Sequence, residues 1–333
     1  MAKKNQHYIP KFYLKYFSFQ NNQREIGILN LKNNFFKKNV ALRDQCSSKY
    51  FYGEDEVIEN YLSKLEGYFA QIFRNIIENE EINKKNKKEL YELLTFVLFT
   101  DLRSLTTIEN LKNLPNRLNE LNLDISFSEI SQQESVKITF SNVKAILPFI
   151  LDLDYKLLKN KTNTKFISSD YPIAKYNLLY ENVPTYFSVN GYRSKGLLIF
   201  LPLSPNLTII FFDKSTYKVG NKRETSINIF DEKEINQLNI LQILNGNQTI
   251  FFDGSVTEKY IFQLKDDSER FQKSNEVQTT KANFKRSNGI LEKDSLIVHI
   301  KKDSFIKLKI HSLKIHSRCN PKNIDSTKIN LRN

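Results

Sequence analysis

The sequence has little of what usually marks a cofactor or metal site. It contains no tryptophan, one methionine, two cysteines and nine glycines among 333 residues. Cys46 and Cys319 fit no ligand spacing such as CxxC, and their number excludes a disulfide scaffold while leaving a single bridge open. The few glycines argue against a glycine-rich nucleotide cradle, and no GxGxxG, Walker, HExxH or GxSxG motif occurs. No dedicated metal cluster is therefore evident, and the sequence leaves the cofactor unknown.

Long apolar runs are also lacking. The longest, at 93–99 and 197–203, are far shorter than the ~20 residues that a membrane-spanning helix needs. The first residues carry charge but are followed by no apolar segment of the secretory type. We therefore expect a soluble cytoplasmic protein with no membrane partner, and the sequence does not indicate an oligomeric state.

Core-forming residues, by contrast, are plentiful. Apolar residues make up 40% of the chain, with 25 phenylalanines and 16 tyrosines. This composition excludes disordered and collagen-like proteins. The length corresponds to two domains of ordinary size or to one large domain.

The net charge of +13 lies at the two ends of the chain. Residues 1–50 carry +8 and residues 280–333 carry +9, so the middle is slightly acidic. A basic surface attracts nucleic acid, and these two regions are where we expect it to bind. However, 39 of the 50 basic residues are lysines, which AT-rich coding also produces, whereas phosphate and base recognition favour arginine.

Hydrophobic periodicity predicts the elements. A hairpin is expected over 24–40, and helices over 54–79, 89–113 and 135–149. Strands are expected at 156–158, 165–167, 196–200, 207–212 and 249–252, with helices at 232–244 and 257–264. Residues 265–290 are polar, as in a linker, and 296–300 with 305–315 alternate as a hairpin or ribbon does.

These elements predict an α+β fold. A helical layer over about residues 55–150 packs on a mixed or antiparallel sheet, with a C-terminal β-ribbon extension. The predicted organisation is a core domain over 1–264, a polar linker over 265–290 and a basic extension over 291–333.

The opening residues 5–17, NQHYIPKFYLKYF, resemble the start of a bacterial and fungal family called domain of unknown function 4238. Members begin with a His-Tyr-aliphatic-Pro motif and an aromatic-Leu-basic-x-Phe run. Further segments resemble the family in the same order: 51–52, 58–59 with 65–66, 101–103, 166–172, 201–205 with Asp213, and 238–242. The resemblance covers roughly residues 5–255 and implies candidate positions but no chemistry.

His7 is the first candidate catalytic residue, because it is the one histidine inside that region. Imidazole suits general acid–base catalysis near neutral pH. The alternative is structural: His7 bonds a backbone carbonyl and fixes the N-terminal segment. His299, His311 and His316 lie in the basic extension.

Asp170 is the second candidate, in the Ser-Asp-x-Pro turn. At the end of a strand it would orient His7 or bind a metal ion such as Mg²⁺ or Mn²⁺, together with Glu59. The alternative is a turn residue whose carboxylate accepts bonds from the backbone amides that follow it.

Arg103 follows an apolar helix and needs an anion. That anion is either a substrate phosphate or an internal carboxylate, of which Glu59, Glu66 and Asp101 are candidates. Supporting polar residues complete the predicted site: Tyr8, Glu59, Glu66, Asn239 and Gln242.

Two hypotheses follow. In the first, the protein is a hydrolase that cleaves phosphodiester bonds of nucleic acid, as in cellular defence, using His7, Asp170 and Arg103. In the second, it is a non-catalytic module that binds nucleic acid or protein, and the same polar residues are structural.

Overall fold

A computed structural model of the chain describes residues 5–54, 57–83, 86–185, 187–271, 273, 277–285, 291–299, 303–324 and 330–332. Its helices are α1 (Lys11–Leu14), α2 (Val57–Asn79), α3 (Lys87–Leu102), α4 (Leu105–Asn119), α5 (Gln132–Ile146), α6 (Glu232–Asn245) and α7 (Glu258–Glu269). Its strands are β1 (Asn5–His7), β2 (Glu25–Asn30), β3 (Phe36–Ala41), β4 (Ser47–Lys49), β5 (Asp154–Asn160), β6 (Ser168–Ser169), β7 (Ala174–Tyr176), β8 (Leu198–Ser204), β9 (Leu207–Phe212), β10 (Tyr217–Val219), β11 (Ser226–Ile229), β12 (Thr249–Phe252), β13 (Gln278–Lys285), β14 (Leu291–His299) and β15 (Leu313–Ile315).

The larger sheet has five strands in the order β11-β5-β9-β8-β7. Only the β11–β5 pair is parallel. Every residue of β8 and β9 is buried, because the sheet is covered on both faces. Strands buried on both faces read as continuous apolar runs, which is the pattern seen at 197–203.

One face of this sheet carries the predicted helical layer. Side chains of β5, β8 and β9 join the aromatic residues of α1, α2 and α3 in one core. Phe73 and Phe96 lie at its centre with their rings 4.6 Å apart, and Phe12 and Tyr13 of α1 pack on both. The aromatic opening of the chain is therefore an integral part of the core.

The other face packs against α6, α7 and the stretch 306–313. A second sheet, β3-β2-β12-β6, adjoins this region, and β12 aligns Ile250 and Phe251 with Ser169 and Ser168 of β6. The α+β fold with a helical layer on mostly antiparallel sheets is thus confirmed.

Some local predictions were wrong. The helix expected over 89–113 is two helices, because the chain leaves α3 at Arg103 and the Ser104 hydroxyl caps α4 by accepting from Thr107 N. The strand expected at 165–167 begins three residues later, as β6, which pairs with β12.

The predicted linker over 265–290 is partly regular. Helix α7 continues to Glu269, because Leu264 and Ser268 extend its buried face, and β13 occupies 278–285. β13 pairs with β14, whereas β15 pairs with β10, so the expected hairpin between 296–300 and 305–315 does not form. The remainder of the linker and of the basic extension lies outside the described residues.

None of the described helices is both long and apolar enough to cross a bilayer.

Candidate functional site

His7 is buried, and its ring contacts a backbone carbonyl. It is 8% exposed, and its Nε2 lies 3.0 Å from the carbonyl oxygen of Arg43. Its own carbonyl accepts a bond of 3.0 Å from the Tyr52 hydroxyl, while Tyr8 N donates to Cys46 O. These contacts fix β1 against β4 and are those that the structural alternative predicts for His7.

Tyr8 and Cys46 lie beside this segment in a poorly hydrated environment. Burial is the main cause that raises the pKa of the Tyr8 hydroxyl and of the Cys46 thiol well above their ordinary values. Both groups are therefore neutral near pH 7, and the thiol has none of the acidity that activates a nucleophilic cysteine.

Asp170 binds backbone amides with both carboxylate oxygens. Oδ1 accepts from Asn247 N at 2.7 Å, and Oδ2 accepts from Gln248 N and Thr249 N at 2.9 and 3.1 Å. Burial raises the pKa of Asp170, and these amides oppose the rise. The carboxylate thus joins the Ser-Asp-x-Pro turn to the start of β12, and its amide partners come from a distant segment of the chain.

Arg103 has an internal partner. Its guanidinium is 3% exposed, and Nη1 donates to Glu66 Oε1 at 2.9 Å. Tyr52, Glu66 and Glu59 also raise the pKa of Arg103, which burial alone would lower. Helix α2 therefore supplies the carboxylates of this cluster, as the spacing of Glu59 and Glu66 on one helix face allows.

Asn239 and Gln242 orient the chain between 165 and 172. They are three residues apart and so share one face of α6. Asn239 accepts from Ile167 N and donates to Lys165 O, while Gln242 accepts from the Ser169 hydroxyl and donates to Pro172 O. Their amides satisfy the backbone of an irregular segment.

The three predicted catalytic residues each have their own contacts, and Tyr52 lies between two of them. Its hydroxyl donates to the His7 carbonyl, and Tyr52 also acts on the pKa of Arg103. His7 belongs to the β1–β4 pair, Arg103 to the α2–α3 interface and Asp170 to the β6–β12 connection. Asp170 also raises the pKa of Tyr8, and Glu66 and Glu59 raise that of Arg103. His7 and Arg103 have the contacts that their structural alternatives predict, whereas Asp170 accepts from amides of a distant segment and not from those that follow it. A catalytic role for these residues stays a prediction.

A group of three possible metal ligands brings together residues far apart in sequence. The ligand atoms of Asp231, Glu234 and His311 lie within 4.8 Å of one another. All three side chains already have partners: Asp231 caps α6 by accepting from Lys233 N, and Glu234 and His311 bind each other, with Oε1 2.6 Å from Nδ1. This group anchors the 303–313 stretch on α6.

A basic groove runs over the N-terminal region, and the site prediction did not single out its residues. It consists of two adjoining depressions of about 710 and 640 Å³ that share Lys15 and Gln23. Its cationic lining is Lys11, Lys15, Arg24, Arg43, Arg74 and Lys165. Its acidic lining is Glu25, Glu78 and Asp253, so the groove has an excess of positive charge.

Tyr16 gives this groove an aromatic surface. The ring is half-buried, and the Arg74 guanidinium is near enough to act on the pKa of its hydroxyl, which burial raises. The adjoining wall at 20–23 contains three residues with positive φ, Gln20, Asn21 and Gln23. The Ser18 hydroxyl holds this turn by accepting from Gln23 N.

Comparison with known proteins identifies the family. No curated protein and no solved structure matches the chain significantly. Residues 5–255 match the family described as "Protein of unknown function (DUF4238)", over the same range as the resemblance seen in the sequence. The match covers well over half of the chain, which therefore belongs to the DUF4238 family.

Proposed function

We propose that this protein binds single-stranded nucleic acid in the basic groove. The observation that carries the proposal is that one groove contains both cations and the Tyr16 ring. Lys11 comes from α1, Arg24 from the turn before β2 and Arg43 from the turn after β3. Proteins that bind single strands combine a positive groove for the phosphates with aromatic rings on which bases stack. Both parts are present here.

Charge and exposure support this assignment. Lys15, Arg24, Arg43 and Arg74 are exposed, so phosphates can reach them without rearrangement of the core. Arg43 has only a loose ion pair with Asp44, at 3.6 Å between Nε and Oδ1. An exposed pair of this kind costs little to replace with a phosphate contact.

The proposal leaves out the C-terminal basic region. Its described part contacts α4 through β13, pairs with β10 through β15 and packs on α6. None of the residues lining the groove comes from it. The proposal therefore assigns nucleic-acid binding to the N-terminal region.

The test is fluorescence anisotropy with a labelled single strand of about 12 nucleotides, a length within the usual site sizes. The variant replaces Lys11, Lys15, Arg24 and Arg43 with Ala, and the matched control replaces the exposed Lys64, Lys137, Lys144 and Lys259. Each lost phosphate contact removes ~0.7 from the slope of log affinity against log salt concentration. We expect the slope to fall by about 3 in the groove variant and to stay unchanged in the control. Equal losses in both would overturn the proposal.

Tyr16→Leu tests the stacking. Leu keeps the apolar packing but removes the aromatic face, so we expect about tenfold weaker binding of single strands, within the range for one stacked base. Duplex binding, which uses no unstacked base, should change little. An equal loss for both ligands would contradict the assignment to single strands.

The hydrolase hypothesis remains a prediction and has its own test. It requires cleavage of labelled RNA or DNA in the presence of Mg²⁺ or Mn²⁺ that folded His7→Gln and Asp170→Asn proteins lack. The binding proposal expects the bound oligonucleotide to be recovered intact. The two outcomes are mutually exclusive.

A further inference from the structure

A second cavity has a volume of about 380 Å³ and shares no lining residue with the basic groove. It is bordered by the end of α3, by β7, by α6 and by the chain at 188–192 and 303–304. Three segments that carry the family resemblance contribute to its walls: Asp101 and Leu102, Tyr171, and Leu241. Its volume falls within the range of small-molecule sites.

Asp101 is the most unusual residue in this cavity. The residue is 2% exposed, and Oδ2 accepts from the Lys175 ammonium at 2.8 Å and from the Tyr192 hydroxyl. The Tyr171 hydroxyl lies beside this carboxylate, which raises its pKa, but among the described residues no donor has hydrogen-bond geometry to Oδ1. A buried carboxylate oxygen without a donor is costly, so a ligand donor would relieve that cost.

Asn190 presents a second acceptor of the same kind. It is 7% exposed, and its Nδ2 donates to Asp303 Oδ1 at 2.9 Å. Because a carboxylate accepts only, this bond fixes which amide atom is nitrogen and which is oxygen. No described group donates to the remaining Oδ1 of Asn190. Both acceptors therefore belong to residues of the cavity wall, and each lies just beneath its surface.

The charges of the wall exclude anionic ligands. Asp101 and Asp303 supply two negative charges and Lys175 one positive charge, so the lining is net acidic. Lys175 is already engaged by Asp101 and lies 4.6 Å from the centre of the Tyr192 ring. A phosphate or carboxylate would meet two carboxylates and an ammonium that is already paired.

The two tyrosines remain protonated. Burial and the neighbouring Asp101 raise the pKa of both Tyr171 and Tyr192 well above the usual value. Their rings and the apolar side chains of Ile146, Leu241 and Leu244 give the cavity a large apolar surface. The complementary ligand thus combines an apolar or aromatic body with hydrogen-bond donors.

We propose that this cavity binds an uncharged or cationic molecule of nucleoside size, whose amino or hydroxyl groups donate to Asp101 Oδ1 and Asn190 Oδ1. Leu241, Leu244 and Ile146 contact its apolar body, and the acidic lining rejects anions. This site is separate from the basic groove and does not rest on nucleic-acid binding there.

Calorimetric titration of the full chain tests the proposal with adenosine, cytidine and tyramine. Each has an anionic counterpart: adenosine 5′-monophosphate, cytidine 5′-monophosphate and 4-hydroxyphenylacetate. We expect at least one of the first three to bind with a dissociation constant at or below about 1 mM, and its anionic counterpart to bind at least tenfold more weakly. Failure of all three, or equal binding of the anion, would overturn the proposal.

Two variants locate the binding. Asp101→Asn removes the charged acceptor, and we expect at least tenfold weaker binding. Asn142 is exposed at the mouth of the cavity, so Asn142→Trp narrows the entrance without disturbing the core. Asn75→Trp, on the exposed face of α2, is the matched control. Binding that survives Asn142→Trp, or that is lost equally in Asn75→Trp, would place the ligand elsewhere.

Discussion

The basic groove and the Asp101 cavity differ in how their charges are solvated. The groove's cations are mostly exposed, and their partners are loose, as in the Arg43–Asp44 pair. The cavity's Asp101 is buried and receives an ammonium and a hydroxyl on a single oxygen. A polymer with many phosphates suits the first arrangement, and a small molecule with few donors suits the second. The net charge of the whole chain shows neither the exposed cations of the groove nor the buried carboxylate of the cavity.

The largest expected difference is in the effect of salt. Four single-strand phosphate contacts weaken oligonucleotide binding roughly 50-fold between about 50 and 200 mM salt, because counterions compete for the groove. Binding of an uncharged ligand in the cavity should change less than about twofold over the same range, since buried groups are weakly screened. Anisotropy and calorimetry at matched salt measure both. Parallel salt curves would remove the distinction between the two regions.

The second expected effect is a loss of stability when the packing next to the groove's turn at 20–23 is disturbed. A Cβ on Gly254 would lie 2.3 Å from the Phe19 ring, next to the strained turn at 20–23. We expect Gly254→Ala to cost about 1–3 kcal/mol and to weaken oligonucleotide binding while leaving the cavity's ligand in place.

The control for that substitution is Gly67→Ala. Gly67 lies within α2 with no atom near the added Cβ, so this change should raise stability by about 0.5–1 kcal/mol. Urea denaturation followed by circular dichroism measures both variants. A neutral Gly254→Ala would show that Phe19 moves freely and does not hold the wall.

The third expected effect compares one ion pair from each region. Double-mutant cycles with Asp101→Asn and Lys175→Met should give a coupling free energy of about 1–2 kcal/mol, because Asp101 is buried. The Arg43–Asp44 pair, with side chains 82% and 60% exposed, should give less than about 0.5 kcal/mol. Equal couplings would mean that water reaches Asp101 as readily as it reaches Arg43.

The smallest expected effect is on pH dependence. Glu234 raises the pKa of His311, so the pair stabilises the docked 303–313 stretch below pH ~6.5, and this contribution is lost as the pH rises through the raised pKa. Since Asp303 and Ser304 border the cavity, its ligand should bind slightly more weakly above that pH, whereas the groove should not respond.

His311→Gln should abolish the pH dependence of ligand binding in the cavity. His316→Gln, three residues beyond the 303–313 stretch, is the control. Titrations of the cavity's ligand in buffers of different pH measure how the affinity of each protein changes with pH. A dependence that persists in His311→Gln belongs to another group.

Much of the fold was predictable from periodicity. Helix α2 and the hairpin of β2 and β3 follow from local patterns, because each buries one regular face. The break between α3 and α4 was not predictable from apolar spacing, since the chain turns at Arg103 where a buried ion pair is made with α2. The partners of β6 and β15 depend on contacts between distant segments.

The site was harder to predict than the fold. His7, Arg103 and Asp170 stood out by residue type, yet their roles depend on the Arg43 carbonyl, on Glu66 and on the amides of 247–249. Asp101 was considered only as a partner for Arg103. Its pairing with Lys175, 74 residues later, arises because the end of α3 meets β7.

The origin of the cavity's two carboxylates has a consequence for protein engineering. Asp101 lies inside the range matched by the family, whereas Asp303 lies beyond it, on the stretch that His311 and Glu234 hold against α6. Substitutions at 303–304 would change one wall of the cavity, whereas Ile306, Leu308 and Ile310 have to stay apolar because they pack in the core on the second face of the sheet. Residues 303 and 304 are therefore the positions at which the choice of ligand can be altered while the sheet and the helical layer stay unchanged.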